Sequence, residues 1–450
     1  MRKRAFFDIP CDVLTNKFPS DIIYEMRDKF SRLFCLSGGS DEDMEDKTSK
    51  IIDITAWIFT AVLFASVFMV GNYSYGKYVI FSLSVAVFAF SVVRNGKKAF
   101  YLPRPWHLFI IAIAAYSFLT FLWAFDPRDP VRQAVTVGAI GVCFSLPYSY
   151  FHNHEDGVRM LLDAVKWGGY IISVYSFFYY GFGKVFSVII DSGRLENGFC
   201  NVNTLGIFAA MSVVITVYEI KLRKKFIVSA LLTIPALTVI PATQSKKAFL
   251  YIAIGILAVL IVPNDPKKGG KKVLLRALIV TVALAVAGAL LIQLPPFEGI
   301  RYRFSKLIET LLGQGEDGSS SVVRLEMIRL GLRTFLRHPI GGIGVGCTHI
   351  ITAAEIAMAT YLHNNYVELL AGGGIVGFAV FYSMYGYLIV NFIRKRRVAE
   401  PMKNLCIIIV VLLLVMDVAL VSYYSKDLYF ILMIPFLEID KLSKKEEAGV

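Results

Sequence analysis

Charged residues are scarce in this sequence. Asp, Glu, Lys and Arg make up 18% of its 450 residues, whereas 56% are hydrophobic and the mean hydropathy is +0.60. A soluble domain carries about a quarter charged residues, and apolar runs here reach about 20 residues, the length of a transmembrane helix. The scarcity of charge therefore excludes an ordinary soluble enzyme. The high hydrophobicity equally excludes a disordered or fibrous chain.

Cysteine is also rare, and its positions exclude two further classes. The six cysteines are scattered, without the close spacing of a zinc site or the density of a disulfide scaffold. Cys200 and Cys347 are predicted to share one side of the membrane, but two isolated cysteines are weak evidence for a disulfide. The first 50 residues are mixed and polar, so we expect no N-terminal signal peptide.

The net charge of +13 is compatible with a nucleic-acid-binding protein. However, the Lys and Arg residues stand in short clusters between apolar runs, a pattern typical of membrane proteins. We therefore expect the lipid bilayer as a partner, and no nucleic acid.

Twelve apolar stretches follow residue 50, most of them long enough to cross about 30 Å of hydrocarbon as helices. Their centres lie near residues 61, 84, 115, 141, 170, 211, 234, 255, 283, 375, 412 and 432. The pattern predicts an all-α, polytopic membrane protein with about 12 transmembrane helices.

Five basic clusters predict the orientation, because basic residues in short loops remain on the cytoplasmic side. Each cluster follows an even-numbered stretch; together they comprise 94–104, 221–225, 267–272, 394–397 and 441–445. Both termini are therefore predicted to be cytoplasmic, and the loops that follow odd-numbered stretches are predicted to lie outside.

The sequence divides into five predicted segments. They are a cytoplasmic arm, spans one to nine, an external loop, spans ten to twelve and a cytoplasmic tail, at residues 1–50, 51–294, 295–362, 363–439 and 440–450. The arm is predicted to hold an amphipathic helix at 21–36 and an acidic linker at 37–46, and it is open to contact with a polysaccharide-assembly protein. The external loop carries amphipathic helical patterns at 300–312 and 322–336, and long ordered loops are usually functional.

Four polar stretches, distant in sequence, are predicted to meet at the outer side. They lie at 192–203, 243–247, 321–346 and 363–366. Their shared content is cationic, with one imidazole. This combination suits an anionic substrate that needs a proton acceptor nearby.

A diphosphate would suit Arg194, Lys246 and Arg324. A guanidinium is a rigid fork that matches phosphate oxygens, and an ammonium is a compact point charge. His363 titrates near neutral pH and can accept a proton from a hydroxyl. Lys247 is adjacent to Lys246, and the pattern leaves open which of the two faces the site.

The basic residues also have a structural interpretation. Lys246 and Lys247 could extend to the membrane surface from the start of a span. Arg324 lies in a stripe with Arg329, Arg333 and Arg337, roughly one helical turn apart each, that could be solvated or bind lipid headgroups.

The remaining polar and glycine motifs favour structural roles. Asn364 could cap span ten, and the run 372–374 of three glycines is predicted to allow a kink or close helix packing. The acidic stretch 126–129 contains a proline and favours a turn over a metal site. We therefore expect no metal.

In this order, the polar motifs resemble the O-antigen ligase and O-antigen polymerase superfamily, bacterial multi-spanning glycosyltransferases of the GT-C type. The motifs are Arg194 with Asn201-Val-Asn203, Thr243-Gln-Ser-Lys, Arg324 before His338-Pro-Ile-Gly-Gly, and His363-Asn-Asn. Single motifs of this kind are unspecific, whereas their order and the long external loop are much more specific. The resemblance covers about residues 190–380.

The resemblance implies a donor glycan carried on a polyprenyl diphosphate, normally undecaprenyl diphosphate. It assigns catalysis to His363 and Arg324, and diphosphate binding to Arg194, Lys246, Lys247 and Arg324. Asn201, Asn203, Ser245 and Asn364 would support them. No metal or other cofactor is required, because the diphosphate is already a good leaving group, and direct displacement would invert the anomeric centre.

Two departures from the family pattern affect this assignment. Lys246 stands where the family more often has an arginine, and a lysine cannot make a bidentate phosphate contact. The Asn201-Val-Asn203 stretch lacks the usual central proline.

The resemblance implies an enzyme of the bacterial inner (plasma) membrane whose active site faces outward. It would polymerise the repeat units of a surface polysaccharide or join them to a lipid or protein acceptor. The alternative is a transporter, such as a flippase of the same lipids, which Asp163, Lys166 and Asp417 within the spans favour. A non-catalytic scaffold for polysaccharide assembly is a third interpretation.

Overall fold

A computed structural model defines most of the chain. It describes residues 41–447, except 102, 192, 197, 224–226, 263–270, 315–319 and 399. Within these residues the fold is all-α, without a strand, as the hydropathy pattern predicts. The predicted amphipathic helix at 21–36 lies outside the described residues.

The described part of the chain forms sixteen α-helices and three short 3₁₀ turns. Helices α1 to α16 are Asp41–Met69, Gly76–Asn95, Pro105–Leu119, Arg128–His152, Gly157–Tyr180, Phe182–Ile190, Val202–Arg223, Ile227–Thr243, Lys246–Ile261, Lys271–Leu291, Glu298–Leu311, Ser320–Arg337, Thr348–Ile356, Asn365–Arg394, Lys403–Asp417 and Lys426–Glu447. The 3₁₀ turns are Gly96–Ala99, Thr120–Leu122 and Pro295–Phe297.

Six helical stretches in the described ranges are long and apolar enough to cross a membrane. They are Lys47–Met69, Gly76–Ala99, Pro105–Leu122, Arg128–His152, Val202–Leu222 and Asn365–Arg394. Helices α5 and α6 would together make a seventh, although they bend by 95° at Gly181. All twelve predicted centres lie within helices, but several of these helices are short, so a count of twelve spans stays a prediction.

The first described helix begins earlier than the sequence suggests. Helix α1 starts at Asp41 and runs without a break to Met69. Residues 41–46, predicted to belong to an acidic linker, and the predicted boundary at residue 50 are therefore inside the helix.

The segment 295–362 contains both of its predicted amphipathic helices. They correspond to α11 at Glu298–Leu311 and α12 at Ser320–Arg337. Helix α12 packs against α14 through a small apolar cluster that contains Met327, Leu362 and Val367. This cluster places one face of α12 over the start of α14.

Helix α14 is broken at its three glycines. Gly374 has φ +63°, a conformation that glycine adopts without strain. The segment 339–346 docks against this break, where the N–H of Gly344 donates to the carbonyl of Gly372 at 2.9 Å and the N–H of Ile375 donates to the carbonyl of Pro339 at 2.8 Å. The glycine run therefore forms a kink, as predicted, and the kink holds the loop between α12 and α13.

Two long helices run between the polar motifs and the basic clusters. Helix α7 begins beside the Asn201-Val-Asn203 stretch and ends at Arg223, and α14 begins at Asn365 and ends at Arg394. At that second end, Lys395 pairs with Glu446 of α16 at 2.6 Å. The polar motifs therefore lie at the opposite end of these helices from the basic residues.

We expect Gly374→Ala to destabilise the protein by about 2 kcal/mol or more, because a side chain at this φ is strained. The new Cβ would also lie only 2.1 Å from the carbonyl oxygen of Ile340. Thermal unfolding of the detergent-solubilised protein measures the effect. Gly386→Ala is the matched control, since a Cβ at this position of the same helix meets nothing within 4 Å. Equal melting temperatures for the two variants would contradict this account of the kink.

Candidate active site

Arg194 lies in the connection between α6 and α7 and is held at both ends of its guanidinium. Its Nε donates to the carbonyl of Thr243 at 3.0 Å, and one Nη donates to Oδ1 of Asn203 at 3.0 Å. The neighbouring N–H of Leu195 donates to the carbonyl of Ala242 at 3.0 Å. These bonds attach the loop to the end of α8 and orient Arg194 toward the start of α9.

The two-residue connection between α8 and α9 places both lysines. Ser245 caps α9, since its hydroxyl accepts from the N–H of Ala248 at 3.4 Å. Lys246 and Lys247 therefore occupy the first turn, where a positive charge opposes the helix dipole. Nζ of Lys246 donates to the carbonyl of Arg303 at 3.4 Å. An unfavourable position for two cations favours a functional role over a purely structural one.

Helices α11 and α12 bring two arginines over these lysines. Arg324 is half-buried, and burial lowers its pKa. For Arg194, burial and then the charges of Arg303 and Arg324 lower the pKa. Arg303 therefore joins the cationic cluster, although the sequence analysis did not single it out.

His363 is fixed by its two neighbours in the chain. The N–H of Leu362 donates to Oε2 of the buried Glu368 at 2.8 Å. The side chain of Asn364 caps α14 by accepting from the N–H of Val367 at 3.0 Å. Between these contacts, His363 adopts φ +58°, which is unusual for a residue other than glycine, and its ring lies 4.4 Å from that of Tyr361.

The environment of His363 keeps its imidazole neutral. Burial, followed by the positive charges of Arg324 and Lys247, lowers the pKa of His363 to about 4. A neutral imidazole can accept a proton at pH 7.

Two adjoining cavities collect these side chains. A cavity of about 240 Å³ is lined by cationic and polar residues, among them Arg194, Lys246, Arg303 and Gln244. A second cavity of about 250 Å³ contains His363 and continues between apolar side chains. Asn203, Lys247 and Arg324 line both cavities, so both lysines face the site, and these three residues form the boundary between its two parts.

The cations of the site have no ion-pair partners in the described part of the chain. Among the described residues, no carboxylate lies within ion-pair distance of Arg194, Lys246, Lys247 or Arg324. Like charges held together in a partly buried site repel one another. The arrangement therefore favours an anion with several oxygens.

Two buried polar groups at the cavities have no hydrogen-bond partner among the residues that the structure describes. These groups are the side-chain amide of Gln244, at the cationic cavity, and the hydroxyl of Tyr251, at the second cavity. Buried polar groups in proteins nearly always have partners. An occupant of the cavities could supply them.

Asn365 connects the start of α14 to the loop between α15 and α16. Its Nδ2 donates to Asp417 at 3.2 Å and to the hydroxyl of Tyr382 at 3.0 Å. Its Oδ1 accepts from the N–H groups of Ser422 and Tyr423 at 2.9 Å and 3.2 Å. Asp417 lines the second cavity, so this network forms the floor beneath His363.

The remaining predicted residues have distinct positions. Asn201 lines the second cavity and accepts from the N–H of Asn203 at 2.9 Å. Ser245 and Asn364 cap the helices beside the site rather than line it. The residues that the sequence analysis missed are Arg303, Gln244 and Tyr361. An Arg-Tyr-Arg stretch at 301–303 in an external amphipathic helix was the available signal for the first of these.

The comparisons with known proteins support the resemblance. Residues 230–382 match the family described as O-antigen ligase, so this part of the chain confirms the predicted superfamily. The matched segment includes Lys246, Lys247, Arg324 and His363, whereas Arg194 precedes it. Among curated proteins, none matches the chain.

We expect Asn365→Leu to destabilise the protein by about 2–4 kcal/mol. The substitution leaves two main-chain N–H groups without partners and removes a donor from a buried carboxylate. Thermal unfolding measures the loss. The control is Asn391→Leu on the same helix, which loses only the 2.8 Å bond to the carbonyl of Tyr387. A similar small effect for both variants would show that Asn365 does not hold the floor of the site.

Proposed function

We propose that this chain is a membrane glycosyltransferase of the O-antigen ligase and polymerase type. It acts at the outer face of the bacterial inner (plasma) membrane. It transfers an oligosaccharide from a polyprenyl diphosphate, normally undecaprenyl diphosphate, to an acceptor hydroxyl. The observation that carries the proposal is the meeting of sequence-distant cations and one neutral imidazole at two adjoining cavities.

The cationic cavity suits the diphosphate. Arg324 and Arg194 provide planar donors for phosphate oxygens, and Lys246 and Lys247 add point charges. As the bond between the sugar C1 and the diphosphate oxygen breaks, negative charge grows on that oxygen. Fixed cations stabilise this charge without reorganisation.

His363 suits the acceptor. The acceptor oxygen attacks C1 from the side opposite the diphosphate, and its proton passes to the neutral imidazole. The new bond forms as the old one breaks, so the configuration at C1 inverts and no metal is required. The diphosphate leaves on its polyprenyl chain, for which the apolar side chains of the second cavity, including Phe208, Met211 and Leu428, provide a path.

The transporter interpretation relied on Asp163, Lys166 and Asp417 within the spans. Lys166 lies 2.8 Å from Asp163 and 2.6 Å from Glu219, which joins α5 to α7, and Lys166, Asp163 and Glu219 line neither cavity. The pairing of these three residues is consistent with helix packing and does not require a transport pathway. Asp417 lines the second cavity, where it accepts hydrogen bonds from Asn365, Tyr382 and Ser422.

We expect His363→Ala to lower the rate of transfer by 10²–10⁴-fold, because the proton acceptor is lost. Arg324→Ala is expected to lower it by 10²–10³-fold, because charge on the leaving group is no longer stabilised. Both are measured with lipid-linked oligosaccharide in proteoliposomes and by surface-glycan length in a complemented deletion strain. Arg329→Ala, an exposed residue of the same helix, is the matched control and should stay within twofold of wild type.

The outcomes separate the competing functions. Loss of long glycan with short lipid-linked units accumulating outside supports transfer, and the product on the gel distinguishes a polymer from a single ligated unit. Normal glycan from both variants would refute the assignment. Short units retained on the cytoplasmic side would instead indicate a flippase.

The pH profile tests the state of His363. Because only the neutral imidazole accepts a proton, kcat/KM should decline toward acid with an apparent pKa near 4, well below the ordinary 6.5. The decline of kcat toward acid should occur at a higher pH than that of kcat/KM, because a bound diphosphate offsets the charges of Arg324 and Lys247 and so raises the pKa of His363. His363→Gln should abolish both declines. Circular dichroism at each pH separates titration from unfolding, and an acid limb of kcat/KM at 6.5 would contradict the proposed environment.

A further inference from the structure

Gln244 has a backbone conformation that glutamine rarely adopts. It follows the last residue of α8 and has φ +47°. Glycine or asparagine is preferred at such a position after a helix, because a larger side chain is strained there. The main chain is fixed on both sides, by the 3.0 Å bond from the N–H of Gln244 to the carbonyl of Pro241 and by the cap at Ser245.

The side chain of Gln244 is buried without a hydrogen-bond partner. The residue is only 1% exposed, and neither Oε1 nor Nε2 has a partner in the described structure. Burial of an amide in this state is unfavourable. Because Gln244 also forms part of the wall of the cationic cavity, the occupant of that cavity is the natural source of its partners.

The amide is an acceptor as well as a donor, and this limits what can satisfy it. A diphosphate offers acceptor oxygens, which satisfy Nε2 but leave Oε1 without a donor. In the described structure the hydrogen bonds of the cations that share this cavity go to other groups, since Arg194 donates to the carbonyl of Thr243 and to Asn203, and Lys246 donates to the carbonyl of Arg303. A hydroxyl or an acetamido group both donates and accepts, so it satisfies the whole amide.

We propose that Gln244 recognises the sugar directly attached to the diphosphate. Oε1 accepts a hydrogen bond from a hydroxyl or acetamido N–H of that sugar, and Nε2 donates to one of its oxygens. This inference rests on the proposed function and adds to it a residue that determines sugar specificity. Gln244 therefore discriminates between donors, whereas the cations bind the diphosphate that every donor shares.

The test compares one ligand that carries the sugar with one that lacks it. Because the free terminal phosphate of the ligand without the sugar carries additional negative charge, each Kd is compared between variant and wild type for the same ligand. The Kd of the full chain in nanodiscs is measured for undecaprenyl diphosphate and for the lipid-linked oligosaccharide extracted from a strain that lacks this protein. Gln244→Met keeps the length and volume of the side chain and removes both hydrogen-bonding groups. We expect its Kd for the lipid-linked oligosaccharide to rise about 5–30-fold, the effect of losing two hydrogen bonds, while its Kd for undecaprenyl diphosphate changes by less than twofold.

Two further variants make the result specific. Gln293→Met, at an exposed glutamine away from both cavities, should leave both Kd values unchanged. Gln244→Asn is compatible with the left-handed backbone, but its side chain is one methylene shorter, so the amide lies farther from the ligand. We expect this variant also to raise the Kd for the lipid-linked oligosaccharide selectively. It also provides the comparison if Gln244→Met does not fold. Gln244→Met should melt at or above the wild-type temperature, because it removes a buried unpartnered amide.

Two results would overturn the inference. Equally weakened binding of both ligands by Gln244→Met would mean that the amide acts on the diphosphate or shapes the cavity. Unchanged Kd values for both ligands would mean that the amide does not contact the sugar. Wild-type protein that binds neither ligand would instead refute the proposed function.

Discussion

The central constraint of this structure is a group of positive charges that have no carboxylate within ion-pair distance among the described residues. Arg194, the adjacent Lys246 and Lys247, and Arg324 come from three parts of the chain and meet at two cavities. The lysines occupy a helix N-terminus, where the dipole adds to their repulsion. Like charges held this close repel one another in the empty site, and a multivalent anion would offset that repulsion. The persistence of this cluster in the fold therefore indicates what the site is built to bind, because packing alone would favour neutral residues at these positions.

The scaffold compensates for this repulsion with rigid main-chain geometry around the site. Gln244 and His363 both have left-handed backbones, and each is fixed by a helix cap immediately after it. The kink at Gly374 and the loop docked against it hold α12 beside α14, which keeps Arg324 near His363. Strain of this kind persists where the surroundings over-determine the conformation. The strained residues therefore border the cavities, and a stabilising helix cap follows each of them in the chain.

Much of this arrangement could be predicted from the sequence, because it follows from local patterns. Periodicity predicts α11 and α12, and the glycine run predicts the kink. The alternation of apolar stretches and basic clusters predicts that Lys246, Arg324 and His363 lie on one side, and the structure brings them together at the two cavities. Arg303 and Gln244 could not be predicted, because their roles depend on tertiary contacts: Arg303 on the packing of α11 over α9, and Gln244 on the burial of an amide that looks like an ordinary turn residue in the sequence. The number of spans is also uncertain from sequence, because short apolar helices and long ones give similar hydropathy.

The same charges link diphosphate binding to the chemistry of His363 in the proposed reaction. In the empty site, burial and the charges of Arg324 and Lys247 lower the pKa of His363 to about 4, so the imidazole is neutral but a weak base. A diphosphate placed among these cations offsets their charge, and the pKa of His363 then rises toward the range in which proton transfer is efficient. The base is therefore strongest when the donor is bound. The acceptor hydroxyl is activated mainly in that state, and an unoccupied site has little tendency to deprotonate water or other hydroxyls. In the proposed reaction, one electrostatic arrangement would thus serve both the binding of the donor and the activation of the acceptor.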